Sequence, residues 1–209
     1  FFCSYFVMEN LRYILYQYRP QTSIYIGHRY AVKGVIDGYM AGGGYILSKK
    51  ALEKFATKLM NSTECRSDPG GAEDLEMGVC LTSHAIPLDG HDLLHQKQFF
   101  PVGTEQHLQG PEPPNWWYPV NQWSNYSQGD LNCCADTITC LHYIPPPEMF
   151  LYNYLIYRVH PFGFIKALNN VLPRKLSLQE IINASDEISE SRNYVKHPII
   201  HHLEEDEKY

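Results

Sequence analysis

Glu73 and Asp74 stand side by side in GGAEDLEMGVCLTSH, where the chain passes from glycines into a helical pattern. Two acids in the first turn of a helix are favoured by the partial positive charge there, so the pair reads as a solvated N-terminal feature. It also reads as a general base held in a cleft, ready to take a proton from a hydroxyl. Gly42, Gly43 and Gly44 lie between short apolar runs. The chain has no G-x-x-x-x-G-K-[ST] and no G-x-G-x-x-G, so the glycines read as close backbone approach to a ligand or element rather than as a phosphate cradle. His91 and His95 in HDLLH fall on one face if the segment is helical, as a zinc site requires, but Asp92 stands where a zincin has Glu and no third ligand is evident. His142 ends a strand beside Tyr143 and reads as a core histidine or a metal ligand. Trp116, Trp117, Tyr118, Trp123 and Tyr126 read as packing or as a stacking surface for the apolar face of a sugar ring.

The elements that must position these residues follow from periodicity. Met8, Leu11, Ile14, Leu15 and Tyr18 make one helical stripe that Pro20 closes. TSIYIGHRY predicts a strand. GYMAGGGYILSKKALEKFATKLM predicts strand, tight loop, then a helix capped by Ser48 and buried through Leu52, Phe55 and Leu59. A second helix starts at the acid pair. Residues 101–129 read as an irregular, aromatic binding loop. DTITCLHYIPPP predicts a strand stopped by prolines, EMFLYNYLIYRV a helix, LSLQEIINASDEISE another, and HHLEEDEKY a solvated tail. The expected class is α/β.

A chain of 209 residues, 44% hydrophobic, buries a core of one domain or most of one. Its formal charge of −6 and lack of Lys/Arg clusters exclude nucleic acid as a partner. No stretch approaches the roughly eighteen apolar residues of a membrane span, and the first residues lack the charged start and cleavage site of a signal peptide. Six cysteines and three N-x-S/T sequons, at Asn61, Asn125 and Asn183, point to an oxidising lumen. Bridging Cys65 to Cys80 would close a loop of about fifteen residues, worth on the order of 3 kcal/mol in the chain-entropy model. Cys133 and Cys134, being adjacent, are expected to pair with different partners, in a cluster completed by Cys140.

GYMAGGGYILSKKAL, AEDLEMGVC, NCCAD, CLHYI and YLIYRVHPFGF, in this order and spacing, resemble the core 1 β1,3-galactosyltransferases within the animal β1,3-glycosyltransferase family. The resemblance runs from Ser4 to about Pro173. It implies a Golgi type II membrane enzyme with a GT-A-type fold, a Rossmann-like mixed sheet with flanking helices. Such an enzyme moves galactose from UDP-galactose to O3 of GalNAc on Ser or Thr of glycoprotein acceptors, with inversion and Mn²⁺. It further implies Asp74 as base, Glu73 as its partner near the donor sugar and His142 as metal ligand. Gly42 and Gly43 would lie beside the sugars, and Trp117 and Tyr118 in the acceptor region. A homodimer and a dedicated chaperone are the protein partners the resemblance suggests.

The departures from the family pattern carry their own expectations. The glycine loop is one residue shorter than the usual GYMSGGAGY, and the Trp117 to Cys133 spacing is longer. Ahead of a block like SYFVMENLR the family carries a DDD triplet that holds Mn²⁺ on the UDP phosphates; here the triplet is Phe1-Phe2-Cys3. Phe-Phe-Cys-Ser can be encoded as a pyrimidine run followed by CAG, the look of an intron's 3′ end. Residues 1–3 are therefore expected to be intron-derived, residues 4–173 the C-terminal part of a GT-A domain without its nucleotide-binding half or anchor, and residues 174–209 a helical and solvated tail. Such a chain alone is expected to be inactive; the alternative is a metal-free, chaperone-like paralogue that assists a galactosyltransferase. Genomic DNA upstream of the Ser4 codon should show a splice acceptor with an exon ending in Asp codons, whereas a continuous transcript encoding FFCS would favour the paralogue.

Overall fold

The computed structural model describes residues 4–32, 36–109, 117–123, 132–159 and 174–186. Its organising element is the strand β2 (Ile24–Val32), which pairs antiparallel with β3 (Ile36–Leu47) and parallel with β4 (Ile86–Asp89). Alternation along β2 sorts its side chains to two sides, as the strand period of two requires. Ile24 and Ile26 join Ile14, Ile86, Leu88, Phe99, Cys140 and Ile181 in one core, while Tyr25 joins Met40, Ala51, Leu59, Cys80 and Leu81 in another. A second three-stranded sheet has β6 (Cys140–His142) at its centre, antiparallel to β1 (Tyr5–Phe6) and parallel to β5 (Phe99–Gly103). Helices α1 (Met8–Leu15), α2 (Lys49–Lys54) and α3 (Glu73–Leu81) flank the sheets. Farther along the chain come the short α4 (Thr104–Leu108) and α5 (Trp117–Val120), then α6 (Pro146–Tyr157) and α7 (Leu178–Asp186). Two small mixed sheets with flanking helices make the α/β class expected, in a partial Rossmann-like, GT-A-type arrangement.

Several expectations are corrected. GYMAGGGYIL is one strand carrying a bulge rather than a strand and a separate loop, because both of its halves pair with β2. Ser48 does cap α2, its hydroxyl accepting from Ala51 N–H at 3.1 Å, but the helix loosens into a π turn over Phe55–Leu59. Leu52 then lies 53% exposed while Leu59 is buried. HDLLH is a turn, with Asp92 Oδ1 accepting from Leu94 and Gln96 N–H and His95 at φ 57°, so its histidines are not on a helical face. Cys65 and Cys80 are joined as expected, with Cα atoms 4.6 Å apart. Cys133 and Cys134 are joined to each other instead of to separate partners. Cys140 is withdrawn from that cluster: its buried thiol donates to Gly43 O at 3.2 Å, and burial pushes it up to a pKa of about 12. Ser185, the last residue of the Asn183 sequon, is buried and donates to Pro87 O at 2.7 Å, locking α7 onto β4. Asn125 and the 187–209 tail lie outside the described residues.

The junction of the two sheets leaves no space for a side chain at Gly44, whose added Cβ would lie 2.5 Å from Phe6 Cζ and 2.8 Å from Cys140 Sγ. Gly44→Ala should therefore destabilise the fold by about 1–3 kcal/mol, read as a lowered denaturant midpoint at unchanged slope. Gly103→Ala, which meets only the end of the Gln106 side chain at 3.3 Å, should change it far less.

Candidate functional site

Gly27 faces Tyr45 and Arg29 faces Met40, so Ala41 to Gly44 all stand opposite His28 alone. A strand can absorb that surplus only by buckling away from its partner. The three glycines allow it because each touches something a side chain would displace. A Cβ on Gly42 would sit 3.3 Å from Asp74 Oδ2, and one on Gly43 would sit 3.0 Å from the His142 ring. The bulge thus brings α3 of one flank and β6 of the second sheet to a single point.

Asp74 is held there by two backbone donors. Gly42 N–H donates to Oδ2 at 3.0 Å, and Leu75 N–H donates to Oδ1 at 2.9 Å. A carboxylate has about four acceptor positions, so half of its capacity is left for a hydroxyl. The neighbouring Glu73 accepts from the phenol of Tyr45, the first residue after the bulge. Tyr45 packs edge-on against Tyr25 at 5.3 Å, and the Tyr25 hydroxyl accepts from Met40 N–H. Burial, followed by the Glu73 contact, drives the Tyr45 pKa well upward, so the phenol keeps its proton and goes on donating. The helix N-terminus anchors both carboxylates at the bulge rather than leaving the pair loose in solvent.

On the far side, His142 Nδ1 lies 2.9 Å from Pro101 O, which can only accept, so Nδ1 carries a proton and donates it there. The ring stacks on Tyr143 at 4.0 Å.

Where β4 ends, residues 117–123 take over the edge of β2: Ala31 N–H donates to Asn121 O at 2.8 Å and Trp123 N–H to Arg29 O at 3.1 Å. This puts Trp117 and Tyr118 in different roles. Trp117 is 49% exposed, with Tyr30 at 5.8 Å and Tyr118 at 6.0 Å between ring centres. Tyr118 is fully buried, stacked on His28 at 5.7 Å, edge-on to His107 at 5.5 Å and beneath the Lys97 ammonium at 5.3 Å. Trp117 is the more exposed of the two, and the buried Tyr118 packs edge-on against it.

No family model matches the chain. A glycoprotein-N-acetylgalactosamine 3-beta-galactosyltransferase 1 from Xenopus laevis is 32% identical over 168 residues, 77% of this chain and 45% of that protein. A beta-1,3-glucosyltransferase from Mus musculus is 27% identical over 92 residues, 43% of this chain and 18% of that protein. The chain belongs to the β1,3-glycosyltransferase family. It spans under half the length of these relatives.

Membership in this family implies a divalent metal, and the residues can be tested for it. His142 has the backbone partner that metal-binding histidines use to fix their tautomer. A hard cation on a diphosphate also needs oxygen ligands. Among the described residues no three His, Cys, Asp or Glu side chains gather in a way that could hold a metal ion, and Phe1 to Cys3 lie outside them. The described residues do not fit a Mn²⁺ site. The same holds for the zinc reading of His91 and His95, whose rings approach to 4.8 Å without a third ligand among the described residues.

Sequence reasoning missed Tyr45, Tyr25 and the Pro101 carbonyl. Tyr45 was within reach, since the first large residue after a glycine run on a strand must face one side of the bulge; the other two contacts are set by tertiary packing. Also missed was the buried pair His28 and His107. Burial lowers both pKa values, helped by nearby Lys97, His107 to about 3. The unfolded chain binds these protons near the ordinary histidine pKa and the fold does not, so stability is complete above about pH 6.5 and is lost as pH falls toward 3. His107→Phe should therefore reduce the slope of unfolding free energy against pH between about 6 and 4 by about 1.4 kcal/mol per pH unit. Denaturant unfolding at a series of pH values measures it.

Proposed function

We propose that this chain carries the acceptor side of an inverting transferase that moves galactose from UDP-galactose to O3 of a GalNAc attached to Ser or Thr of glycoproteins in the Golgi lumen. The observation that supports it best is the Asp74 carboxylate, oriented by Gly42 and Leu75 N–H with acceptor capacity to spare. In this reading GalNAc lies with its apolar face on Trp117, and Gly42 and Gly43 let the sugar approach the backbone. The O3 hydroxyl donates to Asp74. As O3 attacks the anomeric carbon of galactose, its proton passes to the Asp74 carboxylate, the new C1–O3 bond forms and the bond from C1 to the UDP oxygen breaks on the opposite face. UDP leaves with the electron pair. Glu73, fixed by Tyr45, orients a donor-sugar hydroxyl, and Tyr118 acts by holding Trp117. His142 is the residue assigned to Mn²⁺ by the family pattern.

We also propose that residues 1–209 by themselves transfer no galactose, since Phe1-Phe2-Cys3 occupy the place of the family's Asp triplet. A chaperone-like role is the other reading that this substitution favours. Extending the chain to the relatives' length with an Asp triplet ahead of Ser4 separates the two. The transferase reading expects β1,3-linked product from a GalNAc-Thr peptide, and Asp74→Asn to lower kcat by about 10²–10⁴-fold while UDP binding persists. An extended protein that binds a galactosyltransferase but makes no product would favour the chaperone.

A further inference from the structure

A cavity of about 350 Å³ opens beside the acid pair, between α3, the π turn and the loop that follows Cys65. Its floor is apolar, made by Phe55, Met77 and the Cys65–Cys80 bridge. Its rim holds Asp68, Glu73 and Glu76 against one cation, Arg66, which leaves two negative charges in excess. Arg66 is already committed: Nε and Nη2 donate to Asp68 at 3.1 and 2.9 Å, and Nη1 to Glu76 at 2.9 Å. The glycines keep this wall thin, Gly71 at φ +76° lying where a Cβ would strike Glu76 and Arg66. Glu73 lines this cavity and also accepts from Tyr45 next to Asp74, so the cavity adjoins the Asp74 site. The volume lies at the lower end of the range of about 300–1,000 Å³ for small-ligand pockets, room for one long side chain and its backbone.

We propose that this cavity is a subsite for a Lys or Arg side chain of the acceptor polypeptide, next to the residue that bears GalNAc. Chemical complementarity supports this assignment. A long aliphatic stem matches the methionine and disulfide floor while its charged head stays at the wet, acidic rim, as such side chains do. A neutral aliphatic residue would fill the floor and leave the rim charges unanswered. An acidic residue would add to them. The proposal rests on the acceptor reading for the position of the sugar.

The test uses fluorescent GalNAc-Thr peptides with Lys, Leu, Glu or Ala walked through the positions on both sides of the sugar, bound to the full 209-residue chain and read by anisotropy. At one or two positions Lys should bind about 2–5-fold tighter than Ala, with Glu weaker than Ala, and the preference should shrink in high salt. Asp68→Asn, a change on the exposed rim, should abolish that preference while leaving the Ala peptide's affinity unchanged. Met77→Trp, which fills the floor, should do the same. A Leu peptide that binds tighter than Lys, glycopeptides that bind regardless of their flanks, or a preference that survives Asp68→Asn would each overturn the subsite and leave the acceptor reading standing. Equally tight binding of an unglycosylated Lys peptide would reduce it to general attraction by an acidic chain and overturn it too. Failure of every glycopeptide to bind would overturn the acceptor reading, and the subsite with it.

Discussion

Four residues of β3 stand opposite one residue of β2, and the rest of the site depends on that mismatch. A regular pairing of GYMAGGGYIL with IYIGHRYAV would make a flat hairpin with no reason to touch α3 or β6. The surplus forces the backbone out, and the glycines that fill the resulting space stand where a Cβ would crowd Asp74 and His142 and strike Phe6. The Gly43 carbonyl then accepts from Ser4, the residue before β1, and from Cys140 of β6. The same few atoms close the sheet junction and present an amide to the candidate base. A mutation here is accordingly a matter of stability and function at once.

The opposite edge of β2 explains the second half of the site. Beyond Asp89 the sheet loses β4, and residues 117–123 supply the missing backbone partners. The carboxylate and the half-exposed tryptophan are thereby referred to one strand, β2, through its two edges. The buried histidines and Lys97 around Tyr118 are the cost of building this support from polar side chains, and the histidines make it sensitive to acid. The metal-binding half of the chemistry has no such counterpart among the described residues, where His142 has its backbone partner but joins no group of three side chains that could hold a metal ion.

Much of this was legible in the sequence, for identifiable reasons. α1 has a clear period, β2 is rich in β-branched and aromatic residues, α3 has acids in its first turn, Ser48 is a strong cap, and the spacing of Cys65 and Cys80 suits a bridge. The acid pair could be placed at a helix start from its position alone. β4 was missed because four residues with a proline give no period, and its strand character comes from pairing with β2. β5 was missed because it sits inside an aromatic, proline-rich run and is defined by its contact with β6. The glycine run was read as close approach, which is what it does, but a bulge needs knowledge of what the partner strand offers. Trp117 and Tyr118 look equivalent in sequence; only packing separates the exposed ring from the buried one.

The central claim is that the bulge, the acid pair and Trp117 form one acceptor site. Backbone and indole NMR resonances of the labelled chain, followed during titration with a GalNAc-Thr peptide, test it most directly. The account predicts that the Gly42 and Gly43 amides and the Trp117 indole N–H shift together along one binding curve, and that the unglycosylated peptide leaves them in place. Shifts that bypass these three groups, or that the unglycosylated peptide reproduces, would contradict it.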